Sequence, residues 1–217
     1  MRFRVAVAAL LFSGFLVAQK RPITHEDVWL MKRVGEPIVS PDGRWVVFSL
    51  TEPDYDPAKQ VSDLWLVPAD GSTPPRRLTS SRAAESGAVW SPDGKSLAFA
   101  TRREGDDSPQ VYILPVAGGE ARRVTSAPAG ASSPQWSPDG KQLLYESDFD
   151  PIAAERKARK WNARIYETFP IRYWNAWLDE RKPHVWVQAA EEGAKAVDLL
   201  KDTKLAASPG FAGVFSP

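Results

Sequence analysis

Two histidines and no cysteine bound the chemistry open to this 217-residue chain. Without cysteine there is no disulfide, no thiolate metal site, no Cys nucleophile and no lipidated Cys anchor. His25 and His184 are the only imidazoles, so a His-rich metal centre is excluded, and neither a metal nor a cofactor is expected. One way to present a serine nucleophile is a strained strand-to-helix turn of the form Gly-x-Ser-x-Gly, followed by an acid and a histidine. That pentapeptide does not occur. The nearest stretch, GASSP from Gly130, has no second glycine and leads into a turn. The chain by itself is expected to carry no catalytic residue.

Three aspartates draw attention next, because they recur. The tetrapeptide Ser-Pro-Asp-Gly stands at Ser40–Gly43, Ser91–Gly94 and Ser137–Gly140, with starts 51 and 46 residues apart. Asp42, Asp93 and Asp139 therefore occupy one position in a repeat. Proline sets φ for the second residue of a type I turn, aspartate suits the third, and glycine supplies the positive φ that closes a bulged hairpin. These carboxylates read as turn formers, not as general acids or bases.

A third group of candidates lies between about Phe149 and Pro183. Trp161, Tyr166, Phe169, Tyr173, Trp174 and Trp177 are interleaved with Arg156, Lys157, Arg159, Lys160 and Arg164. Three uses compete for this cluster: packing on its own part of the fold, docking against a partner domain, and direct substrate contact, with Glu167 pairing a substrate amino group. Basic and aromatic residues together can also bind nucleic acid. Glu155, Glu167, Asp179 and Glu180 dilute that charge, however, and the whole chain nets only +1. No nucleic-acid partner is expected.

The elements that must position these residues follow from the repeat. After each Ser-Pro-Asp-Gly comes a basic residue and then an apolar run: RWVVFSL, KSLAFAT, KQLLYES. Further on, DLWLVPADGSTPPRRLTS, QVYILPVAGGEARRVTS and the weaker HVWVQAAEEGAKAVDLL each read as strand, glycine turn and strand. One unit is thus four strands in about 45 residues. The runs do not alternate cleanly between apolar and polar, as expected of sheets covered on both faces. Small sheets stacked face to face around an axis meet that requirement. The fold is expected to be an all-β propeller of TolB-like four-stranded repeats, with blades at about 34–80, 85–126 and 130–200. The closing GVFSP matches AVWSP and PQWSP, so a fourth blade is expected to begin at 213 and the ring to be incomplete within these residues.

The interval from the third turn to this fourth signal is 33 residues longer than the one before it, which places an insert at 149–183. Asp150 and Pro151 suit a helix start, Ile152, Ala158, Trp161, Ile165 and Phe169 recur on a helical period, and Pro170 ends it. A partly helical insert is expected. At the other end, Arg2 and Arg4 precede an apolar run from Val5 to Ala18. That is the pattern of a secretory signal over residues 1–18, too short for a comfortable membrane span. The protein is expected to be exported, to the periplasm or the outside, with no stable membrane span.

ITHEDVWLMKRVGEPIVSPDGRWVVFSL, from Ile23 to Leu50, resembles the start of the N-terminal propeller of prolyl oligopeptidase family serine peptidases. The repeated WSPDGK and RRLT units agree with it. The stretch RIYETFPIRYWNAWLDERKPHVWV is similar to the dipeptidyl-peptidase and acylaminoacyl-peptidase branch. There Arg172, Trp174 and Trp177 match an RHWDxW-like pattern, while Tyr173 and Asn175 replace the usual His and Asp. The resemblance implies an exported serine exopeptidase acting on peptides, whose propeller restricts access to a separate C-terminal α/β-hydrolase domain that these residues do not include. It also makes Glu167, Arg172, Trp174 and Trp177 candidates for substrate or domain contact. The alternative is a TolB-like propeller that serves as a non-enzymatic binding platform.

Overall fold

The computed structural model describes residues 21–159, 172–173, 176–177 and 181–205. The expected signal over 1–18 and the fourth blade from 213 lie outside them, as do most residues of the aromatic cluster.

A one-and-a-half-turn helix, α1 (His25–Trp29), opens the chain. Thr24 caps it: its Oγ1 accepts from the Asp27 N–H, and the Asp27 carboxylate accepts in return from the Thr24 N–H at 2.9 Å. Four of the helix's free N–H groups need such partners, and a reciprocal box satisfies two. The first sheet follows. Its strands are β1 (Arg33–Val34), β2 (Ile38–Val39), β3 (Trp45–Glu52), β4 (Val61–Pro68) and β5 (Arg76–Arg77). β1 and β2 pair with the two ends of β3, so together they form one innermost strand interrupted at residues 35–37. The second sheet runs β6 (Ser86–Trp90), β7 (Ser96–Thr101), β8 (Gln110–Pro115), β9 (Arg122–Arg123). The third begins with β10 (Ser132–Trp136) and β11 (Gln142–Phe149). Then come α2 (Ala153–Ala158) and a small hairpin of β12 (Arg172–Tyr173) and β13 (Ala176–Trp177), before β14 (Lys182–Ala189) and β15 (Val197–Asp198) complete the sheet. All pairings are antiparallel. The three sheets are three blades, and the insert sits between the second and third strands of the third.

The innermost strands share an irregularity. Register slips between Ser86 and Val89 in β6, and between Ser132 and Gln135 in β10, at the position where β1 and β2 part. Gly87 takes φ 60° there, and Ser133, its counterpart, holds φ 50°. Left-handed backbone at a non-glycine residue is uncommon and marks a bulge that bends the strand.

The hydrophobic core lies between blades, not inside any one of them. Val47, Leu64 and Leu66 of the first blade pack against Leu97, Phe99, Tyr112 and Leu114 of the second. From its opposite face the second blade sends Ala98, Val111 and Ile113 against Leu143 and Tyr145 of the third. A strand whose neighbouring residues serve two different cores has to be apolar on both faces, which is why β7 and β8 do not alternate. Phe99, Leu97, Ala98 and Val111 are completely buried.

Candidate functional site

In a four-stranded antiparallel meander, the first and third connections fall at one end and the second connection, with the link to the next blade, at the other. The first end is closed chemistry. In each Ser-Pro-Asp-Gly turn the glycine N–H bonds the serine carbonyl, at 2.8–2.9 Å, and the glycine takes φ between 68° and 71°. The aspartate accepts from the serine hydroxyl at 2.6 Å and from the N–H two residues on, at 3.0–3.1 Å. The serine oxygen also accepts from the N–H that opens the next strand: Trp45, Ser96 or Gln142, each at 2.9 Å. These bonds hold Asp42 down to a pKa of about 2, the serine hydroxyl contributing most, and lower Asp93 and Asp139 for the same reason. All three carboxylates are fixed as ionised acceptors inside their turns. The aspartates are the turn formers that the repeat suggests; the serine's double role left no trace in the spacing.

The opposite end carries the longer connections and the cavities. The first blade contributes residues 53–60, onto which α1 folds: Trp29 stacks between His25 and Tyr55, at 5.9 and 6.0 Å between ring centres. Thus His25 is a stacking partner on the surface. The second blade contributes residues 102–109 and the third its insert. Between the first and second blades a cleft of about 700 Å³ is lined by Leu78–Ala83 and Arg102–Glu104, and it extends towards the β8–β9 turn at Leu114 and Gly119–Ala121. Between the second and third, a smaller one of about 330 Å³ is lined by Ser126–Ala129, Tyr145, Phe149 and Trp186.

Behind these clefts the Arg-Arg-x-Thr motif organises a buried polar layer. Its first arginine reaches the next blade: Arg76 donates to the Val116 carbonyl at 2.9 Å and Arg122 to the Ala190 carbonyl at 2.8 Å. Its second arginine meets a buried carboxylate, Arg77 pairing with Asp63, and Arg123 with Asp106 at 2.9 Å. Its threonine closes the top of the third strand, Thr79 accepting from the Leu64 N–H at 2.9 Å and Thr125 from the Val111 N–H at 2.8 Å. Thr79 in turn donates to Glu85, which also takes the Ser81 hydroxyl at 2.7 Å. Burial pushes the Glu85 carboxyl up from its ordinary value, those two hydroxyls oppose the shift, and the nearby Asp63 adds to it. Tyr112 is raised by burial and then by its hydrogen bond to Asp106.

The third blade fills the same register positions with reversed polarity. His184 stands where Asp63 and Gln110 stand, and Asp198 where Arg77 and Arg123 stand. They meet at 2.7 Å, 3% and 5% exposed. Asp198 already accepts from the N–H groups of Leu200 and Lys201, so Nδ1–H of His184 is the donor. Phe149 stacks on the imidazole at 4.9 Å. Ser147 lies opposite His184 in the ladder, which brings a serine, a histidine and an aspartate into one corner. The set is not a triad. His184 Nε2 is buried with no hydrogen-bond partner among the described residues, and a serine within a strand has no helix N–H groups beside it to hold an oxyanion. Among the described residues His184 links β14 to β15 through Asp198 and packs under Phe149. Among the described residues no group of acids and histidines could hold a metal, and no helix is long and apolar enough to cross a membrane.

Within the insert, Asp150 does accept a backbone N–H, but from Ile152 at 3.1 Å, so it forms a local turn and the helix begins at Ala153. Of the four candidate contact residues, Arg172 and Trp177 are paired in the small hairpin, with Arg172 exposed. Glu167 and Trp174 lie outside the described residues.

Residues 58–173, just over half of the chain, match the family described as the Tricorn protease N-terminal beta propeller domain. The chain is 34% identical over 191 residues to the dipeptidyl-peptidase 5 of Porphyromonas endodontalis, and 36% identical over 104 residues to an uncharacterized peptidase, YuxL, of Bacillus subtilis. Those stretches cover 85% and 47% of this chain but only 27% and 15% of the relatives. Among solved structures, the apo AtxE2 isopeptidase superposes with a TM-score of 0.62 at 19% identity, over 87% of this chain and 33% of that one. The acylaminoacyl peptidase of Pyrococcus horikoshii gives 0.60 at 17%, over 80% and 26%. The stacked blades, their between-blade cores and the match over 58–173 agree, and the chain belongs to the family of Tricorn protease N-terminal β-propeller domains.

Proposed function

We propose that this chain is the propeller portion of an exported serine exopeptidase of the prolyl oligopeptidase family, acting on short peptides beside a separate α/β-hydrolase domain. The observation that carries this is the 34% identity to a dipeptidyl-peptidase along 191 residues, in a chain that has the blades of such a protein and no Gly-x-Ser-x-Gly elbow. The propeller's part is access. A ring of rigid blades with one end of short turns and one of longer loops admits extended peptides and excludes folded chains. Glu167, Arg172, Trp174 and Trp177 fall within the stretch of sequence between β11 and β14, and they are assigned to contact with a substrate or with the catalytic domain. Export rests on Arg2, Arg4 and the apolar run to Ala18.

The test compares the purified chain with the full-length product of its gene on chromogenic dipeptidyl and acylaminoacyl anilides. The chain alone should release no product. The full-length protein should turn substrate over and lose that activity to a serine-directed phosphonate. Phosphonate-sensitive turnover by the chain alone contradicts its non-catalytic role, and an inactive full-length protein hands the case to a binding platform.

A further inference from the structure

Arg77 and Arg123 each reach a buried carboxylate. Arg103 does not. It is half-buried, yet it makes no ion pair among the described residues. Its place is nonetheless fixed. The Arg103 backbone N–H bonds the Asp106 carboxylate at 3.0 Å. Its guanidinium lies over the Tyr112 ring, 4.7 Å from the centre, and donates to the Ala121 carbonyl at 3.5 Å. Nε is buried with no hydrogen-bond partner among the described residues. The acids around it are engaged elsewhere. Asp106 takes the Tyr112 hydroxyl and the Arg123 guanidinium, and Glu85 takes the hydroxyls of Thr79 and Ser81. A charge drawn partly out of water and left without a counter-ion is costly, which marks the place as one where an anion is wanted.

The strands settle which way Arg103 faces. Leu97 and Phe99 of β7 pair with Leu114 and Tyr112 of β8, and all four turn to the first blade. Arg103 covers Tyr112 on that side, and so stands in the cleft of about 700 Å³ between the first and second blades. All the residues lining that cleft belong to the described stretches. Ser80 and Arg82 line it from the link between the blades, both exposed and with no side-chain partner among the described residues. The repeat shows that the blade does not need these groups. Counted from each Ser-Pro-Asp-Gly, Arg103 stands where the first blade has Glu52 and the third Phe149. Counted from each Arg-Arg-x-Thr, Arg82 stands where the next link has Pro128, and Ser81 where it has Ala127.

Guanidinium is a planar fork that matches both oxygens of a carboxylate. Glu104 and Glu120 also line the cleft, so a singly charged anion suits it better than a dianion such as phosphate. Its volume is in the middle of the range of ligand pockets, and Leu78 and Leu114 add apolar surface. We propose that this cleft binds a carboxylate of a peptide, from an acidic side chain or a C-terminus, between Arg103 on its wall and Arg82 at its rim. The site does not rest on the peptidase reading, since nothing in it requires turnover.

Isothermal titration of the full-length protein tests it, after treatment with a serine-directed phosphonate so that no peptide is consumed. The ligands are acetyl-Ala-Glu-Ala-amide, acetyl-Ala-Gln-Ala with a free C-terminus, and acetyl-Ala-Gln-Ala-amide, which has no carboxylate. At least one of the first two should bind about tenfold more tightly than the third, the scale of one charge-assisted pair. Which of them does so names the source of the carboxylate. Arg103→Gln should bring the ratio to about one, and Arg82→Gln, a change at an exposed side chain, should reduce it. No measurable binding, or equal affinity for charged and neutral peptides, would overturn the proposal. So would a preference that survives undiminished in either folded variant, or inorganic phosphate binding as tightly as the preferred peptide. The peptide comparison uses the unaltered protein, so a variant that fails to fold does not rescue it.

Discussion

Two kinds of carboxylate sit in this molecule, and their titration runs in opposite directions. Asp42, exposed and held by Ser40 and Arg44, is depressed from 3.8 to about 2; its contribution to stability is present above the unfolded pKa and is lost as pH falls from there through about 2. Glu85 is buried and raised above its ordinary value of 4.5. Its protonation favours the folded state below the unfolded pKa, and that contribution is lost as pH rises through the folded one. The groups facing it are Thr79 and Ser81 on its own approach, Asp63 from β4 and Arg103 from the second blade. Glu85→Gln removes the titration and keeps one acceptor for the two hydroxyls. Relative to the parent, the variant should therefore gain stability as pH rises above the ordinary carboxylate value of 4.5, and level off once the folded-state carboxyl is ionised. Urea midpoints at each pH measure it. A difference that stays flat as pH rises would mean that Glu85 titrates normally.

At the scale of elements, the strands were legible and the bonds that fasten them were not. Periodic Ser-Pro-Asp-Gly located every first hairpin, because proline, aspartate and glycine each have a local conformational reason to be there. Arg-Arg-x-Thr also recurs in the sequence, yet its three functions are all tertiary: a clamp on the next blade, a pair with a buried acid and a lid on a strand end. None can be seen without a neighbouring strand. The same holds for His184, whose partner Asp198 is 14 residues away and replaces an arginine. Thr125 gives the sharpest test. It is fully buried, accepts from Val111 and donates to Gln110 at 2.8 Å. Thr125→Val keeps the shape and strands the Val111 N–H, at roughly 1–3 kcal/mol for a group left unpaired, while the Gln110 amide oxygen keeps its bond from the Ala127 N–H. A drop in unfolding free energy of that order is expected, while Thr125→Ser, which keeps the hydroxyl, should recover most of it. If valine and serine cost the same, packing of the methyl group, not the hydroxyl, is what the site needs.

For the whole molecule, the consequential fact is that one sheet serves two cores. The second blade presents Leu97, Phe99, Tyr112 and Leu114 to the first blade and Ala98, Val111 and Ile113 to the third. A cavity opened on one face must therefore be felt through a single layer of backbone by the other, since close-packed interiors transmit strain. Phe99 is completely buried, and Phe99→Ala should cost about 3–5 kcal/mol. The informative readout is where that loss appears. If the blades unfold as one unit, hydrogen exchange should accelerate in β11 and β14 of the third blade as much as in β3 and β4 of the first, although Phe99 belongs to the cluster shared with the first blade alone. If each between-blade core is its own cooperative unit, acceleration should stop at β7 and β8. Protection retained across the third blade in Phe99→Ala would show that adjacent cores are energetically separate. Leu143→Ala, in the other cluster, should then spare the first blade in the same way.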